Sequence, residues 1–204
     1  MRNHRNKAAK RLYEIGEGQQ GFFTTKQAKA AGYAENTHPY HVQAGNWIRE
    51  NRGIYRLANF PESKRPDLML WSLWSRNRAE SVQGVYSHQT ALSLHDLSDE
   101  MPAKLHMTVP MNFRRNSEIP RVLVLHYADL PHDGIEILDG VRVTKPMRTI
   151  LDLLIDGEVP VGTLRQAVQE GLRGGVIRRS EIAEAKRLLR GGKHARIFLE
   201  QVAA

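Results

Sequence analysis

Cysteine is absent from the chain, which excludes disulfides, thiolate zinc sites and a cysteine nucleophile. Long apolar runs are absent too. The longest, Leu68–Trp74, is interrupted by Ser72, whereas a membrane helix needs about 18 consecutive apolar residues. The opening segment carries Arg2, His4 and Arg5 with no apolar stretch behind them, unlike a secretory signal. Glycine-rich phosphate loops are missing, because Gly174-Gly175 and Gly191-Gly192 follow no strand and lack a lysine–serine ending. No serine-hydrolase elbow occurs either. Aromatics are only 7% of the 204 residues, yet a hydrophobic fraction of 41% can build real cores, which argues against wholesale disorder. The expectation is a soluble cytoplasmic protein of one domain or two small ones.

What the chain has in excess is positive charge, a net +8 from 30 Lys and Arg against 22 Asp and Glu. Residues 1–65 hold 12 basic and 5 acidic side chains, while residues 66–204 hold 18 and 17. A solvated basic face has the same sign, but neutralising a polyanion needs clustered cations rather than a high average. The local bias therefore favours a nucleic-acid partner for the first third.

That first third reads as a winged helix-turn-helix. Ala8, Ala9, Leu12 and Ile15 recur at helical spacing, predicting a helix over 6–15 that Gly16 and Gly18 close. Thr24-Thr25-Lys26-Gln27 is a capping box, opening a short helix that Gly32 stops. A second helix spans 36–44, with Asn36 or Thr37 as its cap and Pro39 acceptable only in the first turn. Two short helices joined by a glycine-containing turn are the helix-turn-helix signature. Strands at 47–49 and 53–56 then flank a basic tip, the wing. In such modules the second of these helices enters the major groove by its N-terminal end, which makes Asn36, Thr37, His38, Tyr40 and His41 the expected base readers. Lys26, Arg49 and Arg52 are placed for phosphates, and residues 2–11 could add an arm. His38 and His41 lack carboxylate or cysteine companions, so no metal is expected there.

A proline-bracketed polar stretch at 61–66 marks a boundary, giving domains 1–65 and 66–204. Beyond it, Asp67 caps a helix whose Trp71 and Trp74 face inward, and Ser87 caps another over 88–97. Strands are expected at 104–109 and 121–126, and a hairpin at 135–143 turns on Asp139-Gly140, a pair suited to type I′. Pro146 opens a further helix, followed by helices near 160–172, 180–190 (Ser180 as cap, Gly191-Gly192 as stop) and 193–202. The fold class is α+β: an N-terminal winged helix-turn-helix, then a mixed α/β domain ending in helices.

Catalytic constellations are hard to find in this second part. A metal nuclease needs an acid and then Glu-x-Lys on the next strand; Asp133, Glu136 and Asp139 share a hairpin, but Ile137-Leu138 follow Glu136. His88 and His95 lie seven apart and read as structural imidazoles. Arg148 and Asp152 are four apart and form an ordinary exposed ion pair. No enzyme activity, cofactor or metal is expected.

The ordered set Phe23-Thr-Thr-Lys-Gln-Ala28, Gly32-Tyr33, Gly45-Asn-Trp47, Arg52-Gly-Ile-Tyr-Arg-Leu57, Tyr86-Ser-His-Gln-Thr-Ala-Leu-Ser-Leu-His95-Asp-Leu97 and Val143-Thr-Lys-Pro-Met-Arg-Thr-Ile-Leu-Asp-Leu153 resembles the AbiEi-like antitoxins of type IV toxin–antitoxin (abortive-infection) systems. It spans roughly residues 15–155. The resemblance implies a winged helix that binds operator repeats in double-stranded DNA and represses its own operon, with Thr37, His38, Tyr40, His41 and Arg52 as readers. It also implies a C-terminal domain that counters a nucleotidyltransferase-like toxin, with no membrane partner and no chemistry of its own. The chain departs from many relatives in carrying Ala34 where they cap the recognition helix with Ser or Thr. One copy in solution, or two on a repeated operator, fits a small reading head. The alternatives are a metal-dependent nuclease acting through Asp133 and Glu136, and a ligand-sensing transcriptional regulator.

Overall fold

The structure is a computed structural model that describes residues 2–99, 102–188 and 193–203. It is a mixed α+β protein with two sheets. The chain divides into two compact units, residues 1–83 with 139–141, and residues 84–138 with 142–204. No helix among the described residues is long and apolar enough to cross a membrane.

The first unit runs α1 (Arg2–Glu17), β1 (Phe22–Thr24), α2 (Thr25–Ala31), α3 (His38–Gln43), β2 (Trp47–Asn51), β3 (Ile54–Leu57) and α4 (Pro66–Trp74). Its sheet is antiparallel in the order β1-β3-β2, with Phe23 opposite Tyr55 and Arg49 opposite Tyr55 on the other side. Leu12, Phe23, Ala28, Ala31 and Trp47 form its core. Residues 2–11, expected as an arm, are helical and belong to α1.

Neighbouring strand residues face opposite sides of a sheet, so the burial of both Phe22 and Phe23 requires cover on both faces. Helices α1 and α4 both pack against β1 and β3. This moves the division from residue 65 to residues 83/84: α4 buries Leu68, Met69, Leu73 and Trp74 and needs an apolar surface, which the small sheet supplies. Asp67, expected as the cap of α4, lies inside its first turn; Arg65 is the N-cap, and the two form an ion pair at 3.0 Å.

The second unit carries β4 (Val85–Tyr86), α5 (His88–Leu94), β5 (Leu105–Val109), β6 (Leu123–Tyr127), β7 (Ile135–Leu138), β8 (Val141–Thr144), α6 (Pro146–Asp156), α7 (Val161–Arg173), α8 (Arg179–Leu188) and α9 (Lys193–Ala203). The sheet order is β6-β5-β4-β8-β7. Strand β5 pairs antiparallel with β4 and parallel with β6, Thr108 facing His126. Asp139 and Gly140 both have positive φ, 48° and 80°, as a type I′ turn demands. Helix α6 is the hub of a helical core: Ile150 and Leu153 lie among Leu92, Leu164, Val168, Ile182 and Leu199. Ser180 falls inside α8 rather than capping it, and the Glu181 carboxylate accepts from the Arg178 amide at 2.7 Å instead. The expected Gly191-Gly192 stop lies outside the described residues.

Candidate functional site

Two places bring polar residues together. In the first unit, the capping box is complete: the Gln27 amide donates to Thr24 Oγ1 at 3.2 Å, and the Thr24 amide donates to Gln27 Oε1 at 2.8 Å. Gly32 takes the left-handed φ of 113° that ends α2. The next helix starts differently from expectation. A 3₁₀ turn over Glu35–Thr37 precedes α3 and contains Asn36; Thr37 stands at the N-cap of α3 but makes no capping bond, its hydroxyl donating back to Ala34 O at 2.6 Å.

The expected readers part company here. Tyr40 is 59% exposed, and Asn36 is exposed beside it. His38 is 2% exposed and belongs to the core, its ring edge-on to Trp47 at 5.2 Å and to Tyr55 at 5.8 Å. That is a correction: a residue three positions after Glu35 on this tight turn points inward. His41 is half-buried and stacks on Trp47, with 4.6 Å between centroids. Thr37 is half-buried. Arg49 and Arg52 are exposed on the β2–β3 hairpin and form no ion pair among the described residues. Arg56 instead binds Glu50 at 2.7 Å. Lys26 is not left for a phosphate: its Nζ donates to Arg78 O at 2.5 Å and lies 4.0 Å from Glu80. Glu80 also accepts from the Thr24 hydroxyl, and Arg76 donates to Gly53 O at 3.2 Å, so the segment after α4 clasps the start of α2 and the hairpin.

The second place is a cavity of about 350 Å³ in the second unit, lined by His88, Thr108, His126, Tyr127, Arg148, Asp152 and Asp156 among others. Three elements supply its polar wall. Alternation along β5 and the parallel register with β6 put His106, Thr108 and His126 on one face. Helix α6 lines up Arg148, Asp152 and Asp156 at four-residue spacing. His88 enters at the first residue of α5 with a left-handed φ of 52°, uncommon for a non-glycine residue.

The imidazoles touch one another. His88 and His126 stack 3.5 Å apart and 10° from parallel, and His106 Nδ1 lies 3.1 Å from His126 Nε2. Asp156 Oδ2 is 3.6 Å from His88 Nε2 and 3.8 Å from His126 Nδ1. Ser87, the N-cap of α5, makes no capping bond; its Oγ sits 2.9 Å from His88 Nδ1 and accepts from Thr108 Oγ1 at 2.8 Å. Burial, reinforced by the neighbouring His126 and His106, lowers the His88 pKa from 6.5 to about 3. Burial and His126 lower that of His106 as well. Burial raises that of Asp152 against the opposing charge of Arg148.

The Arg148–Asp152 pair is therefore not an ordinary exposed one. Arg148 Nε donates to Asp152 Oδ1 at 2.8 Å, the carboxylate is 11% exposed, and its Oδ2 is buried without a hydrogen-bond partner among the described residues. His95 is the C-cap residue of α5, its Nε2 2.7 Å from Thr144 O and 3.8 Å from Glu136 Oε1. Among the described residues, Asp133 and Glu136 belong to no group of three metal-capable side chains. Among the described residues the one group of three metal-capable side chains is His88, His126 and Asp156. Sequence reading missed this cluster because its members come from α5, β6 and α6. The available signal was the pair of histidines on neighbouring strands, at 106 and 126, each one step out of an apolar run.

No family model matches the chain, and no curated protein does. Among solved structures, it is similar to the crystal structure of the RV2827C protein from Mycobacterium tuberculosis, with a TM-score of 0.62 over 96% of this chain and 76% of that one. At 13% identity the likeness is one of fold.

Proposed function

We propose that the first unit is a winged helix-turn-helix that binds double-stranded DNA, and that the chain is an autorepressing regulator of the AbiEi-like antitoxin kind. The observation that carries this reading is the exposure of Asn36, in the 3₁₀ turn, and of Tyr40, in α3, together with a hairpin whose exposed Arg49 and Arg52 have no acidic partner among the described residues. In helix-turn-helix modules the second helix of the motif reads base edges in the major groove, while cations beside it hold phosphates. The reading set is revised to Asn36 and Tyr40, with Arg49 and Arg52 as phosphate contacts; His38 is left out. The division at 83/84 leaves the charge bias intact, since residues 66–83 add two basic and two acidic residues.

Gel shifts with DNA from upstream of the gene test it. With the two phosphate contacts of Arg49 and Arg52, affinity falls by about 10-fold between ~50 and ~200 mM salt. Arg52→Ala weakens all sequences alike and reduces the salt slope by about 1, whereas Tyr40→Ala relaxes discrimination between the promoter and unrelated DNA. Absence of binding at low salt sinks the proposal.

For the near-neutral second unit the same reading assigns a protein partner, a nucleotidyltransferase-like toxin. Co-expression with a toxin encoded in the adjacent reading frame tests this: growth is rescued by the full chain and not by its first unit alone.

A further inference from the structure

The geometry points to a divalent transition-metal site in the second unit, in which His88 Nε2, His126 Nδ1 and Asp156 Oδ2 hold a cation of the zinc class and a fourth position opens into the cavity. This stands apart from the DNA reading, and either can fail alone.

The distances are the first support. The three ligand atoms lie within 4.8 Å of one another, and Oδ2 is 3.6 Å from one nitrogen and 3.8 Å from the other. These separations are too long for hydrogen bonds and lie at the outer limit of an ion pair. Around a tetrahedral Zn²⁺ with bonds of about 2.0–2.1 Å, ligand atoms sit about 3.3 Å apart. The two Asp156 edges need to contract by a few tenths of an ångström, and the edge between the two imidazole nitrogens, which lies within 4.8 Å, by up to about 1.5 Å.

The outer hydrogen bonds are the second support. Ser87 Oγ accepts from Thr108 and has a second lone pair for a proton on His88 Nδ1, which leaves the Nε2 lone pair facing Asp156. His106 Nδ1 lies 3.1 Å from His126 Nε2; in the tautomer in which His126 Nε2–H donates to it, His126 Nδ1 keeps its lone pair for a metal. Each ligand imidazole thus has an outer polar partner on its other ring nitrogen, at 2.9 Å for His88 and 3.1 Å for His126, able to hold the metal-binding tautomer. The donor set decides the metal class: two imidazoles and one carboxylate suit Zn²⁺ or Fe²⁺ rather than the all-oxygen preference of Mg²⁺ or Ca²⁺. Three protein ligands beside a cavity leave room for a water or a substrate oxygen.

One movement is required. The His88 and His126 rings stack 10° from parallel, and a metal between them lies outside both ring planes. Coordination opens the stack by tilting the rings. The signature of binding is therefore a change in the His88 and His126 ring resonances and not in those of His38 or His41.

The experiment uses the tag-free full chain, stripped with a chelator, dialysed, and titrated with Zn²⁺ by calorimetry and with Co²⁺ by visible absorption. The expected result is one ion per chain and a Co²⁺ band in the visible. Asp156→Asn lowers affinity by about 100-fold or more, and the outer-partner change His106→Ala by about 10-fold or more. Asp156 is 36% exposed in its side chain, so Asp156→Asn melts like the parent in metal-free buffer. His126→Gln also abolishes binding, and if it fails to fold, Asp156→Asn decides. The proposal is overturned if the parent binds no stoichiometric ion at about 100 μM Zn²⁺, or if Asp156→Asn binds like the parent.

Discussion

His88 and His38 are both histidines in small helices, and their surroundings give them different work. His38 contributes ring area to an aromatic core around Trp47. His38→Ala is expected to destabilise the first unit by about 2 kcal/mol through lost packing, read by thermal unfolding, while Tyr40→Ala leaves stability unchanged. Equal melting of the His38→Ala variant and the parent would return His38 to the surface. His88 is instead a buried, uncharged imidazole whose pKa of about 3 lies below its unfolded value. The unfolded chain therefore binds the extra proton between pH 6.5 and about 3. Stability is fully present above the upper limit and falls as the pH drops through this window, by up to about 1.4 kcal/mol per pH unit. The groups that face it are His126, His106, Glu158, Arg148 and Asp156. Asparagine tolerates the left-handed φ of this position, so His88→Asn in metal-free buffer flattens the dependence. Urea unfolding between about pH 7 and pH 5 measures it, and parallel curves for the two proteins would remove His88 as the cause.

At the scale of elements, two glycines in α7 pull in opposite directions. A Cβ on Gly171 meets Ile177 Cδ1 at 2.7 Å and Cγ1 at 2.8 Å, whereas one on Gly162 meets nothing within 4 Å. Alanine gains helix propensity at both positions, by roughly 0.5–1 kcal/mol. At Gly171 the clash with a fully buried isoleucine outweighs that gain, since overpacking costs about 1–3 kcal/mol. Gly171→Ala is expected to lower stability by about 1 kcal/mol and Gly162→Ala to raise it by about 0.5 kcal/mol, both read from denaturant midpoints. Elements were the most legible level in the sequence. The capping box at 24–27, the left-handed Gly32 and the Asp139-Gly140 turn are local devices, and each is present. The start of α3 was not legible: its 3₁₀ turn is fixed by a hydroxyl returning to Ala34 O, a choice that competes with capping. Ser87 shows the same competition, with a cap residue in place but its oxygen facing His88 and Thr108.

For the whole molecule, the boundary and the cavity were hidden for one reason. Both depend on which surface an element finds, and composition is silent on that. The Pro61–Pro66 stretch reads as a linker, yet α4 completes the first unit by covering the sheet that holds Phe22. A fragment of residues 1–83 is therefore expected to fold and to bind DNA with the parent's salt slope. A fragment of residues 1–65 loses the α4 cover and the Arg76 and Glu80 clasp, and circular dichroism should show it largely unfolded. A well-folded fragment 1–65 would restore the boundary at the prolines. The cavity is less legible still, because His106 and His126 meet only through a parallel register between β5 and β6.

That register carries a kinetic consequence. A parallel pair needs a long closing loop, and non-local pairing of this kind forms slowly. A slip of one residue in β6 rotates every side chain to the other face, sending His126 away from His88 and bringing Leu125 in. The three-ring cluster is thus a marker of completed folding. A chain that has built its helices but misaligned this strand shows nearly native far-ultraviolet dichroism and none of the ring–ring contacts.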